Sequence, residues 1–477
     1  MPMLVARLVR ALAIFGVILA SYMTQLALQR IFGRWQKRDG RRDLRVLPPW
    51  LVERRKRIDT KNARRLLDGM LRLRGVFIKL GQVLSLMGGF LPRVYGKELE
   101  QLQDAVPPQP FSTIERAVRK SLGKPIAELF ADMASEPIAA ASLGQVHVAH
   151  LADGRKVAVK VLYPGIRSII AVDMRVVRWA IVVYRWFLPV TGIERVHEQL
   201  VDLLGRETNY IHEAECMERM AKNFAGDDAI AFPSVVHELT TRDVLTMTFM
   251  EGIKITKLDE LREKGVPTDQ VAVRLVQAFY KMMFVDRFFH ADPHPGNFLV
   301  EPLAGGKFRL VVLDFGAACE AHDALIDGMI EILRGFFGQD DALVLTGFRR
   351  MGFVARGGNE QLLERTVKSY FVKLLKIQDR TAAALMRARP DQLEKLADPD
   401  VERGELQELM RSFEYPEDWF YVERACVLMF WLAAQVDPTL DTIMVGFPYV
   451  MPLLGDQLAR VASEPPPRPG ADAAPQS

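Results

Sequence analysis

The spacing of hydrophobic positions changes several times along the chain, and each change predicts an element. Residues 11–29, ALAIFGVILASYMTQLALQ, carry no charge. At about 1.5 Å per residue a helix of that length reaches roughly 28 Å, just under the hydrocarbon core of a bilayer. Ser21, Thr24, Gln25 and Gln29 soften its second half. A cleaved signal peptide is a rival reading, but no small-x-small site precedes a polar start. A helix buried under the rest of the chain is another. Pro48-Pro49 marks a boundary, after which Leu66, Leu67, Met70, Leu71 and Leu73 sit at helical spacing within Thr60–Met87. Pro107, Pro108 and Pro110 close this unit, and two short amphipathic helices follow at Ser112–Leu122 and Pro125–Phe130.

The period then shortens. Val-rich runs at Gly144–Ala149, Lys156–Tyr163, Val235–Glu238 and Val244–Thr248 read as strands bounded by turn signals such as Asp153-Gly154. A long helical stretch interrupts them between Ile166 and Phe224. After Glu251-Gly252 the pattern is mostly helical, apart from a hairpin-like pair around Asn297–Glu301 and Phe308–Leu313. The run VVRWAIVVYRWFLPV, Val176–Val190, reads either as core packing or as a membrane-facing surface. The apolar stretch Tyr421–Leu454 is equally open, although Asp437 and Pro438 argue against a simple spanning helix. From Glu464 onward too little apolar content remains to fold, which predicts disorder.

Composition narrows the class. The chain has 477 residues, 49% hydrophobic and 26% charged. This excludes a disordered or collagen-like chain and allows two to four folding units. The net charge of +4 hides a basic block: residues 30–79 hold 17 Lys+Arg against 5 Asp+Glu. Arg30, Arg34, Lys37, Arg38, Arg41 and Arg42 follow the apolar run, while Arg7 and Arg10 precede it. That asymmetry keeps the C-terminal side of a membrane segment cytoplasmic. The overall charge is too weak to point to nucleic acid. Three scattered cysteines, Cys216, Cys319 and Cys426, exclude a disulfide framework and indicate a reducing compartment. The histidines show no metal-ligand spacing with them, and His290 reads as a support of the loop it lies in.

The chemistry is concentrated in the middle of the chain. Val157-Ala158-Val159-Lys160 is a β-branched strand ending in a lysine that can face phosphate. Glu207 and Glu213 follow on a predicted helix, and either could pair with it. Farther on come His290, Asp292 and Asn297 within HADPHPGN, then Asp314-Phe315-Gly316 after an apolar strand. Each piece alone also reads as a surface lysine, a capping aspartate or an asparagine in a turn. In this order, with Asp and Asn five residues apart, they match phosphoryl-transfer machinery. Asp314 and Asn297 offer hard oxygen ligands to Mg²⁺. Asp292 is placed to take or orient the proton of an attacking hydroxyl.

Four further motifs carry a family resemblance: Lys79-Leu80-Gly81-Gln82 within FIKLGQVLS, Ala139-Ala140-Ala141-Ser142 followed by LGQVH, ETNYIHEA from Glu207 through Glu213, and HADPHPGN itself. Across roughly residues 55–375 the chain resembles the UbiB-like, aarF-domain-containing, atypical protein-kinase-like family. The resemblance implies an α+β, two-lobed protein-kinase-like fold with an N-terminal helical KxGQ cap and a helical C-terminal extension. It divides the chain into a hydrophobic membrane segment with a basic juxtamembrane stretch (1–45), the cap (46–110), an N-lobe with a helical insertion (111–250), a C-lobe (251–375), the extension (376–460) and a disordered tail (461–477). It implies ATP and Mg²⁺ as cofactors, with Ala139, Ala140, Ala141, Ser142, Lys160, Met250, Asn297 and Asp314 at the nucleotide and metal. By analogy Glu207 holds Lys160, and Lys79, Gln82 and Glu213 form a regulatory cap over the site, although spacing leaves the two glutamates interchangeable. Alanines where kinases carry glycines stiffen the phosphate loop, which the family associates with altered ATP/ADP preference and suppressed protein phosphorylation. A small-residue helix start with Ser142 near its N-cap is the plainer reading of AAAS.

The implied function is a membrane-associated atypical kinase or ATPase supporting isoprenoid-quinone (ubiquinone-type) or related lipid biosynthesis. Its partners would be ATP/ADP, a lipid or quinone precursor, the membrane and membrane-bound biosynthetic enzymes, with no nucleic acid. The alternatives are a small-molecule or protein kinase and a non-catalytic, nucleotide-gated membrane scaffold.

Overall fold

The computed structural model describes residues 2–38, 41–73, 75–86, 93–102, 108–185, 193–338, 340–355, 357–359, 362, 412, 414, 416 and 419–463. The tail from Glu464, most of 376–418, the end of Val176–Val190 and the side chain of Gln82 fall outside these.

In chain order, α1 (Pro2–Phe32) leads to the hairpin β1 (Arg34–Arg38) and β2 (Arg41–Val46), then to α2 (Pro49–Leu73), α3 (Val76–Leu86) and α4 (Arg93–Leu99). Next come α5 (Phe111–Leu122), α6 (Ile126–Leu129), β3 (Asp132–Met133), β4 (Ala139–Ala140), β5 (Gly144–His150) and β6 (Lys156–Leu162). The helices α7 (Ile166–Arg185), α8 (Ile193–Glu207) and α9 (Tyr210–Asn223) precede β7 (Ile230–Ala231), β8 (Val244–Thr248) and β9 (Ile253–Lys254). Then follow α10 (Leu258–Glu263), α11 (Thr268–Tyr280), β10 (Phe288–His290), β11 (Phe298–Pro302), β12 (Phe308–Val312), β13 (Ala318–Glu320), α12 (Asp323–Gly338), α13 (Asp341–Arg350), α14 (Trp419–Val436) and α15 (Thr442–Ser463).

Two compact units are built from discontinuous stretches. The first comprises Met1–Lys254, Ala291–Ala318 and Phe420–Leu428. The second comprises Ile255–His290, Cys319–Trp419 and Met429–Ser477.

In the first unit α2 starts at Pro49, where the missing N–H costs nothing in an opening helical turn. The expected helix over Thr60–Met87 is broken at Gly75, whose φ of +58° suits glycine and lets α3 leave in a new direction. The apolar α1 rests on α2, α3 and α7 through one narrow face, with Ala11 buried, Ile14 over Gly69 and Phe15 6.2 Å from Phe77, and through its polar residues. Arg7 donates to Asp173 at 2.8 and 2.6 Å. Tyr22 donates to Asp59 at 2.6 Å, Gln25 to the Leu51 carbonyl at 3.0 Å, and Asn62 to Ser21 at 2.7 Å. Only 11% of its apolar window is buried. The buried-helix alternative therefore does not describe α1: Val9, Leu12, Val17, Met23 and Ile31 face outward. On α7, Val176 and Val177 are buried, as core packing requires, while Trp179 and Val182 are exposed.

A sheet of order β3-β5-β6-β8, with β4 also paired to β5, carries the first part of the site. Alternation along β6 buries Val157, Val159 and Val161 on one face and turns Lys160 to the other. Val235–Glu238, expected as a strand, contributes only a bridge from Val235 to Met247 before a 3₁₀ turn at His237–Leu239. Val236 N–H still donates to the Thr246 carbonyl at 2.8 Å, and threonine hydroxyls hold the turn that follows: Thr240 donates to the Val236 carbonyl at 2.8 Å, and Thr246 to that of Leu239 at 2.8 Å. A second sheet, β7-β12-β11-β9, contains the expected hairpin, with Phe298 opposite Val312.

The second unit is mainly helical. The backbones of α12 and α13 touch, since a Cβ on Gly347 would lie 2.5 Å from the Gly328 carbonyl. Likewise α15 meets α11 where Gly446 faces the Tyr280 ring, with no space for a side chain. The Asp437-Pro438 interruption separates α14 from α15.

Candidate active site

The first unit alone brings together Lys79, Lys160, Glu207, Glu213, Asp292, Asn297 and Asp314. Lys160, on the inner face of β6, donates to Glu213 Oε1 at 2.5 Å and to Asp314 Oδ2 at 3.1 Å. Its ammonium lies 5.6 Å from the centre of the Tyr210 ring. Gly144 permits this crowding, because a Cβ there would sit 2.5 Å from the Val161 carbonyl and 2.9 Å from the Tyr210 hydroxyl. Asp314 follows β12. Phe315, fully buried 6.0 Å from the Phe232 ring, anchors the turn, and Gly316 N–H donates to Asp314 Oδ1 at 3.1 Å.

The pairing of the two glutamates is the reverse of that expected by analogy. Glu213 holds Lys160, whereas Glu207 lies 2.6 Å from Lys79. The cause is a break in the predicted helix. Glu207 ends α8, Asn209 takes an extended conformation (φ −131°, ψ 92°), and α9 begins at Tyr210. The glutamates thus belong to different helices. Glu213, in the first turn of α9, meets β6, and Glu207 meets α3.

The loop after Ala291 is held by its own backbone. His294 N–H donates to the Asp292 carbonyl at 2.6 Å and Asn297 N–H to that of His294 at 2.9 Å. The Asn297 amide nitrogen also donates to the Asp292 carbonyl, at 3.0 Å. That contact orients the amide so that its oxygen is the atom left to act as a ligand. Asp292 Oδ2 receives two cations. Lys79 on α3 approaches to 3.2 Å, and Arg424 on α14 to 2.6 Å. Sequence reasoning missed Arg424. Its only signal is a Glu-Arg pair set in an otherwise apolar helix, WFYVERACVLMFWLAAQV.

Ala139 and Ala140 form β4, with Ala139 opposite Val146 and Ala140 opposite Gln145. Ala141 N–H closes the turn onto the Gly144 carbonyl at 2.8 Å. AAAS is therefore one arm and the turn of a hairpin, not a helix start: pairing with β5 and the buried Leu143 hold it extended. Met250 lies just beyond β8, with its sulfur 3.9 Å from the Thr248 hydroxyl.

Electrostatics follow from burial. Around Lys160, burial opposes the charge, but Asp314 and then Glu213 outweigh it and hold the ammonium above its ordinary range. For Lys79, burial again works against the charge. Glu207 and Asp292 overcome both this and the opposing Arg424, so the net shift is upward. Burial pushes the Glu213 carboxyl up to about 7, against the pull of Lys160. No group of three or more His, Cys, Asp or Glu able to hold a metal occurs among the described residues. Asp314 and Asn297 each carry a side-chain oxygen of the hard type that Mg²⁺ prefers. Mg²⁺ is usually bound by one or two protein ligands, with water and substrate phosphates completing its octahedron.

A family model for the ABC1 atypical kinase-like domain matches residues 101–346. The chain is 32% identical over 416 residues to the chloroplastic Protein ACTIVITY OF BC1 COMPLEX KINASE 8 of Arabidopsis thaliana, covering 82% of this chain and 54% of that protein. It is 33% identical over 260 residues to AarF domain-containing protein kinase 1 of Gallus gallus, covering 54% of this chain and 50% of that one. It thus spans about half the length of these relatives. The solved erythromycin complex of Rv3197 from Mycobacterium tuberculosis matches with a TM-score of 0.53 at 23% identity, covering 83% of this chain and 97% of that one. This is a likeness of fold, and it agrees with the kinase-like α+β class expected from the sequence.

The raised Glu213 carboxyl makes a prediction about pH. A carboxyl whose folded value lies above its ordinary 4.5 binds more protons in the native state, so stability falls as pH rises from about 4.5 to about 7. In melting curves across pH 4.5–8, Glu213→Gln should remove that part of the slope. An unchanged slope in the variant would show that Glu213 does not titrate there.

Proposed function

Because the chain belongs to the ABC1 atypical kinase-like, or UbiB-like, family, we propose that it binds Mg-ATP in its first unit and transfers the terminal phosphoryl group. The observation that carries this reading is the pairing of Lys160 with both Glu213 and Asp314, in the same unit as Asp292 and Asn297. Lys160 would meet the α- and β-phosphates, with Glu213 rather than Glu207 setting its direction. Asp314 and the Asn297 amide oxygen would hold Mg²⁺, whose charge offsets that of the phosphates. The β4–β5 hairpin, with Ala139, Ala140, Ala141 and Ser142, would cover the phosphates, and Met250 would lie at the nucleotide.

Asp292 is the residue that would take up the acceptor's proton. As the acceptor oxygen bonds to the γ-phosphorus, the bond to the β–γ bridging oxygen breaks, ADP leaves with that electron pair, and the acceptor's proton passes to Asp292. With water as acceptor the same steps make an ATPase. Lys79 and Arg424 both bind the Oδ2 that this step needs, so the structure is read as a closed state. Those two contacts also favour a second reading, a nucleotide-gated membrane scaffold in which Asp292 does no chemistry.

The outward apolar residues of α1, with Trp179 and Val182 on α7, support association with a membrane surface. Arg7, Ser21, Tyr22 and Gln25 find partners within the unit, which favours a helix lying in the interface over one that spans. A hydroxyl acceptor presented from lipid fits this placement. An isoprenoid-quinone precursor is the proposed class, with membrane-bound biosynthetic enzymes as partners on the cytoplasmic side.

Two measurements test these assignments. Titration of nucleotide with and without Mg²⁺ should show Asp314→Asn losing the magnesium-dependent gain in affinity, by roughly tenfold or more. An equal magnesium effect in both proteins would remove Asp314 from the metal. In flotation with anionic vesicles, the double variant Leu12→Glu, Val17→Glu should leave the membrane fraction with its melting temperature unchanged; retention would place the contact elsewhere.

A further inference from the structure

Arg424 is 6% exposed in the second turn of an apolar helix, and its Nη2 meets Asp292 Oδ2 at 2.6 Å. Among the described residues nothing accepts from its Nε or Nη1, although both are buried. A buried guanidinium is costly even when every donor is satisfied, and more so with the three N–H groups of two nitrogens idle. A residue kept only to hold two helices together would be expected to use them. Idle donors beside a reactive carboxylate are instead what an anion would fill.

The surrounding charges indicate which anion. The loop from Asp292 to Asn297 contains no lysine or arginine. His294, its only basic residue, already accepts the Gly296 N–H on Nδ1 at 3.2 Å. Lys160 is committed to Glu213 and Asp314. Near Asp292 the cations are therefore Lys79 and Arg424, and they differ. Lys79 is shared between Glu207 and Asp292, while Arg424 has Asp292 as its carboxylate partner. If the guanidinium moved, Asp292 would keep Lys79, and Arg424 would become a free planar fork of the shape that binds phosphate oxygens.

We propose that Arg424 receives the γ-phosphoryl group: when Mg-ATP is bound, its guanidinium exchanges Asp292 for γ-phosphate oxygens, adding positive charge where the transferred group carries its negative charge. This rests on the phosphoryl-transfer reading above. The exchange also frees one cation from Asp292, so nucleotide binding partly opens the closed state. The helix α14 thus becomes a sensor of the third phosphate.

The test is calorimetric titration of the full chain with Mg²⁺ and either a non-hydrolysable ATP analogue or ADP, comparing wild type, Arg424→Met and Arg424→Lys. Arg424→Met should weaken the triphosphate roughly tenfold and change the diphosphate less than about twofold. Arg424→Lys, which keeps a charge but loses the fork, should fall between. If Arg424→Met does not fold, the lysine variant decides, with a selective loss of about threefold for the triphosphate. Equal losses for both nucleotides, or undiminished triphosphate affinity, would overturn the inference. Failure of the wild type to bind either nucleotide would instead overturn the phosphoryl-transfer reading on which it rests.

Discussion

Asp292 carries one negative charge and is bound by two cations that arrive from opposite ends of the sequence, Lys79 and Arg424. Charges withdrawn from water are tolerated when paired, and this requirement organises the first unit. Delivering Lys79 needs α3 to turn at Gly75 and α8 to end at Glu207. Delivering Arg424 needs α14 to give the stretch Phe420–Leu428 to a unit built mainly from residues more than a hundred positions earlier. Lys160 has its own pair of carboxylates. In all, the three cations Lys79, Lys160 and Arg424 face the four carboxyls of Glu207, Glu213, Asp292 and Asp314, of which Glu213 is pushed up to about 7. Such a site gains most from a ligand that brings its own cation with its anionic groups, as a magnesium–nucleotide complex does.

The same balance explains why the structure is at once equipped and restrained. Lys160, Asn297 and Asp314 are poised by contacts that do not involve Asp292 Oδ2. That oxygen is covered. Preorganisation on one side and obstruction on the other are separable because they use different helices: α9 for Lys160, and α3 with α14 for Asp292. The alanine hairpin adds stiffness in place of the mobility that glycines would give, since Ala139 and Ala140 are bound into a sheet ladder rather than left as an open loop.

Much of this was legible in the sequence where local pattern decides. The β-branched run ending in Lys160, the Asn297–Glu301 and Phe308–Leu313 hairpin and the short strand at Val244–Thr248 follow from apolar, β-branched runs bounded by turn signals, and the structure has strands there. Where one residue breaks a pattern, the reading failed. Asn209 is extended and splits one apparent helix into two, which exchanged the partners of Glu207 and Glu213. Near Val235, a 3₁₀ turn at His237–Leu239 cut short a run that bonds β8 only around Ser234 and Val236. Arg424 could not be found by spacing, because it stands 132 positions after Asp292 in a helix whose other residues are those of a core. Only the cost of burying a guanidinium makes it conspicuous, and burial is a property of the fold.

The central claim is that Asp292 does chemistry on a nucleotide bound by Lys160. The most direct measurement is steady-state ATP hydrolysis by the purified chain, with and without anionic vesicles containing a phenolic quinone-precursor analogue, beside Asp292→Asn. The account predicts turnover that the vesicles stimulate and that the variant lowers by roughly a hundredfold or more. Nucleotide binding without turnover under any condition, or turnover indifferent to Asp292→Asn, would contradict it.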